Sequence, residues 1–141
     1  MNEPIRVVID TNIWISFLIG KTLSGLRAHI YNDHVTILFS EELFDEFIEV
    51  VHRPKFNKYF SSDDIHELIV LLDMKAIFVP IQEHFFACRD AKDNFLLDLC
   101  VAGDADYLVT GDPDLLVLQS FRQTEIPDYR SFENVVEETT V

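Results

Sequence analysis

Val7-Val8-Ile9-Asp10-Thr11-Asn12 sets three branched apolar residues directly against a carboxylate. A run with no polar alternation suits a strand buried on both faces. Such strands make parallel sheets, whose ligands gather beyond the carboxyl ends of the strands. Asp10 therefore stands at the rim where a doubly wound fold keeps its chemistry.

Working outward, short apolar runs recur at Val35–Phe39, Ala76–Val79 and Tyr107–Thr110, with a weaker fifth strand around Thr124–Ile126. Helical patterns fill the gaps. Ile13–Ile19 reads as a short helix, and a second follows from Ser24 to Tyr31. Ser40 caps a helix with Glu41 and Glu42 in its first turn. Leu43, Phe44, Phe47, Val50 and Val51 form its apolar stripe, and Pro54 stops it. Ser61 to Asp64 opens another helix, and Asp90 caps Ala91–Ala102. Leu115–Leu118 is a short helix and Tyr129–Val136 a last one. Strands alternating with helices predict an α/β fold: a three-layer α/β/α sandwich around a parallel sheet of four to five strands. The chain has 141 residues and shows no repeat, linker or low-complexity tract. It is expected to form a single domain over 1–141.

No apolar run is long enough to span a membrane, and the first residues lack the layout of a signal peptide. Cys88 and Cys100 form no CxxC pair and no zinc pattern, so a reduced, cytoplasmic setting is expected, with both thiols as small buried groups. The 25 acids against 11 Lys and Arg give a net charge of −14. A protein that grips a polyanion is ordinarily basic. Solvated helix faces, a basic protein partner or metal-binding carboxylates would each account for the acidity.

Four acids stand out by position. Asp10 ends the first strand and Asp112 follows the fourth, so both lie on one rim. Glu46 borders the apolar stripe of its helix, whereas Glu42, Asp45 and Glu49 point away from it. Asp93 lies in the first turn of the helix after Asp90. Each has a plainer role open to it. Asp10 can start a turn, Glu46 can be a helix-flank residue, Asp93 can complete a cap with Asp90, and Asp112 can cap a helix opened by Pro113. Taken together they suggest a site for a hard cation, Mg²⁺ or Mn²⁺, because no histidine or cysteine accompanies them. One or two such ions would serve phosphodiester hydrolysis without a protein nucleophile. Asn12, Ser16 and Thr110 are polar groups near the same rim. The chain contains no HExxH, GxSxG, Walker P-loop or GxGxxG pattern.

The ordered set Val8-Ile9-Asp10-Thr11-Asn12, Ser40 through Glu46, Arg53-Pro54-Lys55-Phe56, Asp90 with Asp93-Asn94, and Ala105 through Asp112 with Leu115-Leu116 resembles the PIN domain. It resembles most closely the branch that supplies toxin components of bacterial toxin–antitoxin pairs, over about Arg6 to Phe132. The resemblance implies an α/β/α sandwich and a Mg²⁺- or Mn²⁺-dependent endoribonuclease acting on RNA. It implies an acidic quartet of Asp10, Glu46, Asp93 and Asp112, with Thr110 and Asn12 beside it and Asp90 and Asp114 as outer ligands. Arg53 and Lys55 would then meet RNA phosphate. An antitoxin protein and a homodimer are the partners it implies.

Two rival readings follow from the residues. A haloacid dehalogenase-like phosphatase also ends its first strand in Asp, but it needs a second acid two residues later, where Asn12 stands. A catalytically inert PIN-like interaction module would have no use for all four acids.

Overall fold

The computed structural model describes residues 3–20 and 28–140. Six strands form one sheet in the order β3-β2-β1-β4-β6-β5. They are β1 (Ile5–Ile9), β2 (Val35–Phe39), β3 (Ile77–Phe78), β4 (Tyr107–Val109), β5 (Ser120–Phe121) and β6 (Thr124–Glu125). The helices are α1 (Thr11–Ile19), α2 (Glu41–Val51), α3 (Ser62–Lys75), α4 (Ala91–Ala102), α5 (Pro113–Leu116) and α6 (Tyr129–Thr140), with a 3₁₀ turn at Pro54–Phe56. They flank the sheet as the expected α/β/α sandwich. Residues 28–31 are helical, and the rest of the helix expected from Ser24 lies outside the described residues.

The sheet is mostly parallel and has six strands, where four to five were expected. The extra strand is β5, which pairs antiparallel with β6. Its two residues are too few to show any period, so the sequence gives no cue for it. β6 itself lies parallel to β4, where the fifth strand was expected.

β1 is central, as its composition demands. Val7 and Val8 are fully buried between parallel neighbours β2 and β4. Arg6 ties it to the turn before β4: its Nε donates to Gly103 O at 2.7 Å and its backbone N to Asp106 Oδ2 at 2.8 Å. Trp14 of α1, also fully buried, donates from Nε1 to Ile9 O at 3.2 Å. Its ring lies 6.0 Å from that of Phe39 on β2. The indole thus fixes the angle at which the chain leaves β1, and that angle aims Asp10. Leu43, Phe47, Val50 and Val51 of α2 are buried, with Phe44 half-buried, so the stripe read from the sequence is the packed face. Cys100 is buried as expected, but Cys88 is only half-buried. It lies on the connection into α4, packed against the edge of the core.

No helix among the described residues is long and apolar enough to cross a membrane.

Candidate active site

β1 and β4 run side by side with Ile9 opposite Val109, so their next residues emerge together. Asp10 caps α1, its Oδ1 accepting from Asn12 N at 3.3 Å. Its Oδ2 accepts from Thr110 Oγ1 at 2.8 Å. Thr110 is fully buried, and the same hydroxyl accepts from Asp112 N at 3.1 Å. Asp112 caps α5, with Pro113 in the first turn, and accepts from Asp114 N at 2.9 Å. The cap the sequence offered to Asp112 is therefore real, and Asp10, read there as starting a turn, also caps a helix. These caps also fix both carboxylates on the rim.

Glu46 reaches the rim from α2. Its Oε2 accepts a long bond from Thr11 Oγ1 at 3.4 Å, and its Oε1 lies 3.9 Å from Lys92 Nζ. Asp93 arrives on the first turn of α4, whose cap is Asp90. The four acids line one cleft of about 180 Å³. Asn12 and Asp90 share its wall, and Arg53, Lys55 and Lys92 face it. The structure thus brings the four acids to one cleft, a meeting that spacing alone left open and the family resemblance implied.

The electrostatics of this cluster are unfavourable as it stands. Asp93 is 5% exposed, and no donor reaches its Oδ2. Burial, then the charges of Asp112 and Asp90, push its carboxyl up to about 6; protonation would also let it donate to Asp112. Burial likewise raises Asp10, against the bonds from Thr110 and Asn12 that favour its charged form. Oxygen atoms of Asp93, Asp112 and Asp114 lie within 4.8 Å of one another. Buried, mutually repelling carboxylates with an unpartnered oxygen fit a divalent cation. The donors are oxygens alone: Cys88 lies outside the cleft wall and the acid cluster, and burial and the nearby acids raise its thiol.

Other expected residues vary in their placement. Ser16 is exposed, lies outside the cleft wall and donates to Asn12 O at 2.9 Å. Asp114 pairs with Arg89 at 3.2 Å. Arg53 is held by Glu49 at 2.9 Å, and the Lys55 ammonium lies 5.1 Å from the Phe56 ring centre. Two groups were missed in the sequence, Thr11 and Lys92. Nothing local marks Thr11. Lys92 precedes Asp93, but its approach to Glu46 depends on how α2 packs on α4.

Thr110→Val tests the hydroxyl that joins the two strand ends. Loss of such a supporting bond weakens metal affinity by about 10–100-fold. That drop in Mn²⁺ affinity, read by titration calorimetry, is expected with the cooperative unfolding transition retained. Unchanged affinity would mean Asp10 is aimed without Thr110.

The sequence is 29% identical over 120 residues to an uncharacterised protein of Methanocaldococcus jannaschii, a span covering 82% of this chain and 76% of that protein. The profile of the PIN domain family matches residues 6–114, from β1 to the first turn of α5, a stretch that carries all five acids of the cleft wall. Members of that family are in general metal-dependent nucleases. With its sheet order and its acid-lined rim at the strand ends, this chain belongs to the PIN-domain family.

Proposed function

We propose that this protein is a Mg²⁺- or Mn²⁺-dependent endoribonuclease, with Asp10, Glu46, Asp93 and Asp112 holding one or two ions. The observation that carries the reading is the meeting of these acids in one cleft, with the buried Asp93 Oδ2 left without a partner. When bound, a divalent ion activates water for attack on phosphorus and takes up charge on the leaving oxygen. The side chains supply the rest. Thr110 and the Asn12 backbone aim Asp10, and Thr11 and Lys92 hold Glu46. Asn12, Asp90 and Asp114 stand around them as outer polar groups. Arg53, Lys55 and Lys92 put three of the 11 cationic residues at the cleft. On a chain of net charge −14, with the cleft acids neutralised by bound metal, these three cations give a phosphate backbone a place to approach.

Cleavage of a panel of single-stranded and structured RNAs, with Mg²⁺, with Mn²⁺ and with chelator, tests the reading beside Asp10→Asn purified identically. Cuts that need metal and vanish in the variant support it. Equal cutting by both proteins, or none by the parent with either metal, overturns it.

We further propose that the protein acts in the cytoplasm as the toxin of a toxin–antitoxin pair. A basic antitoxin segment would suit the acidic cleft, and a homodimer is the form the family resemblance favours. Induced expression should arrest growth, and Asp10→Asn should relieve the arrest. Equal growth with both would count against the toxin role.

A further inference from the structure

Beside the acid cleft, α2 and α4 enclose a second, smaller cavity of about 130 Å³. Its body is apolar, built from Leu43 of α2 and from Phe95 and Leu96 of α4. Glu46, Lys92 and Leu96 line both spaces, so the slot opens beside the acids. Phe95 is 46% exposed, while its neighbours Leu96 and Leu97 are buried. Its ring is therefore not needed to fill the core. Glu42 and Glu46 also line the slot, as does Lys92, whose Nζ is 3.9 Å from Glu46 Oε1.

Charge decides what enters. A phosphate is repelled by Glu42 and Glu46 and is better placed at Lys92, on the cleft side. A nucleobase carries no charge, has apolar faces and offers N–H donors at its edge, which carboxylates accept. Proteins that read single strands stack splayed bases on aromatic rings. We propose that this slot takes an unpaired nucleobase flanking the scissile phosphate, with Phe95 as its stacking surface. The inference rests on the endoribonuclease reading above and assigns one base of the substrate strand a subsite beside the acids. A paired base would first have to leave its helix, at a cost in stacking and pairing.

The test uses a single-stranded oligoribonucleotide with a mapped cut site and two copies carrying an abasic ribose on either side of that site. Parent, Phe95→Ala and Phe95→Leu are compared, the last keeping apolar volume without a ring. Stacking is expected to contribute about ten-fold. The parent should cut one abasic copy about ten-fold more slowly than the intact strand. Both variants should lose about as much on the intact strand and no longer tell the two apart. A parent that cuts intact and abasic strands alike, or variants that keep the parent's discrimination, would overturn the slot while leaving the nuclease standing. A parent that cuts no strand with either metal would overturn the nuclease reading, and the slot with it.

Discussion

Asp10→Asn is expected to abolish metal-dependent RNA cleavage while leaving the metal-free protein as stable as the parent, or more so. The loss should exceed the roughly 10–100-fold typical of removing a supporting group, because a charged ligand goes with it. Stability should hold because the structural part of Asp10 survives. Asn caps helices about as well as Asp, and its oxygen can still accept from Asn12 N, now 3.3 Å away. What disappears is a buried negative charge, disfavoured by burial and by Asp112. Cleavage rates with Mn²⁺ and melting in chelator separate the two effects. A clearly lower melting temperature in chelator would make Asp10 a structural residue first.

Asp93→Asn should change how the metal-free protein responds to pH. The Asp93 carboxyl is raised from 3.8 to about 6 in the folded chain, so the fold binds this proton more tightly than the unfolded chain does. The stability this proton contributes is present in full below the unfolded value near 4. It is lost as pH rises through about 6. In chelator the parent should therefore gain on the variant between about pH 7 and pH 5, by at most about 1 kcal/mol once screening at the open side of the cleft is allowed for. Urea unfolding of both proteins across that range reads the difference, and comparing them removes the titration of the other acids. Saturating Mn²⁺ should reverse the order at neutral pH, since the ion stabilises the carboxylate it binds. Parallel curves for parent and variant in chelator would show that Asp93 carries no such strain.

Where the chain's own pattern is strong, the sequence was informative. An unbroken Val7-Val8-Ile9 suits a strand covered on both faces, and such a strand puts the acid after it on the rim. Glu46 was separable from Glu42, Asp45 and Glu49 because helical spacing puts it alone beside the stripe. Asp93 was harder, since whether its helix opens at the rim depends on the connection into it, and the family resemblance supplied that placement. Asp98 shows what was overlooked. It lies among Leu96, Leu97, Leu99 and Cys100 and is 1% exposed. There it accepts from Phe85 N at 2.7 Å and pairs with His84 at 2.9 Å. An acid set within so apolar a run of its helix was a visible cue to a buried tie. Which loop it holds was not readable, because that depends on a connection with no period of its own. The bond from Thr11 to Glu46 was beyond reach for a similar reason: it joins helices from distant parts of the chain.

The bond between Asp10 and Thr110 spans 100 positions, and β4 is not covered when Thr110 has been made. β6 must still pair beside it, and the fully buried Phe132 of α6 must still pack near Tyr107, ring centres 6.1 Å apart. A ribosome adds about 5–20 residues each second. For the seconds between Asp10 and Phe132 the growing chain holds its acids without the sheet that gathers them. Until Phe132 has been made the proposed site is expected to stay unassembled, and any chain cut short before α6 is expected to cleave nothing.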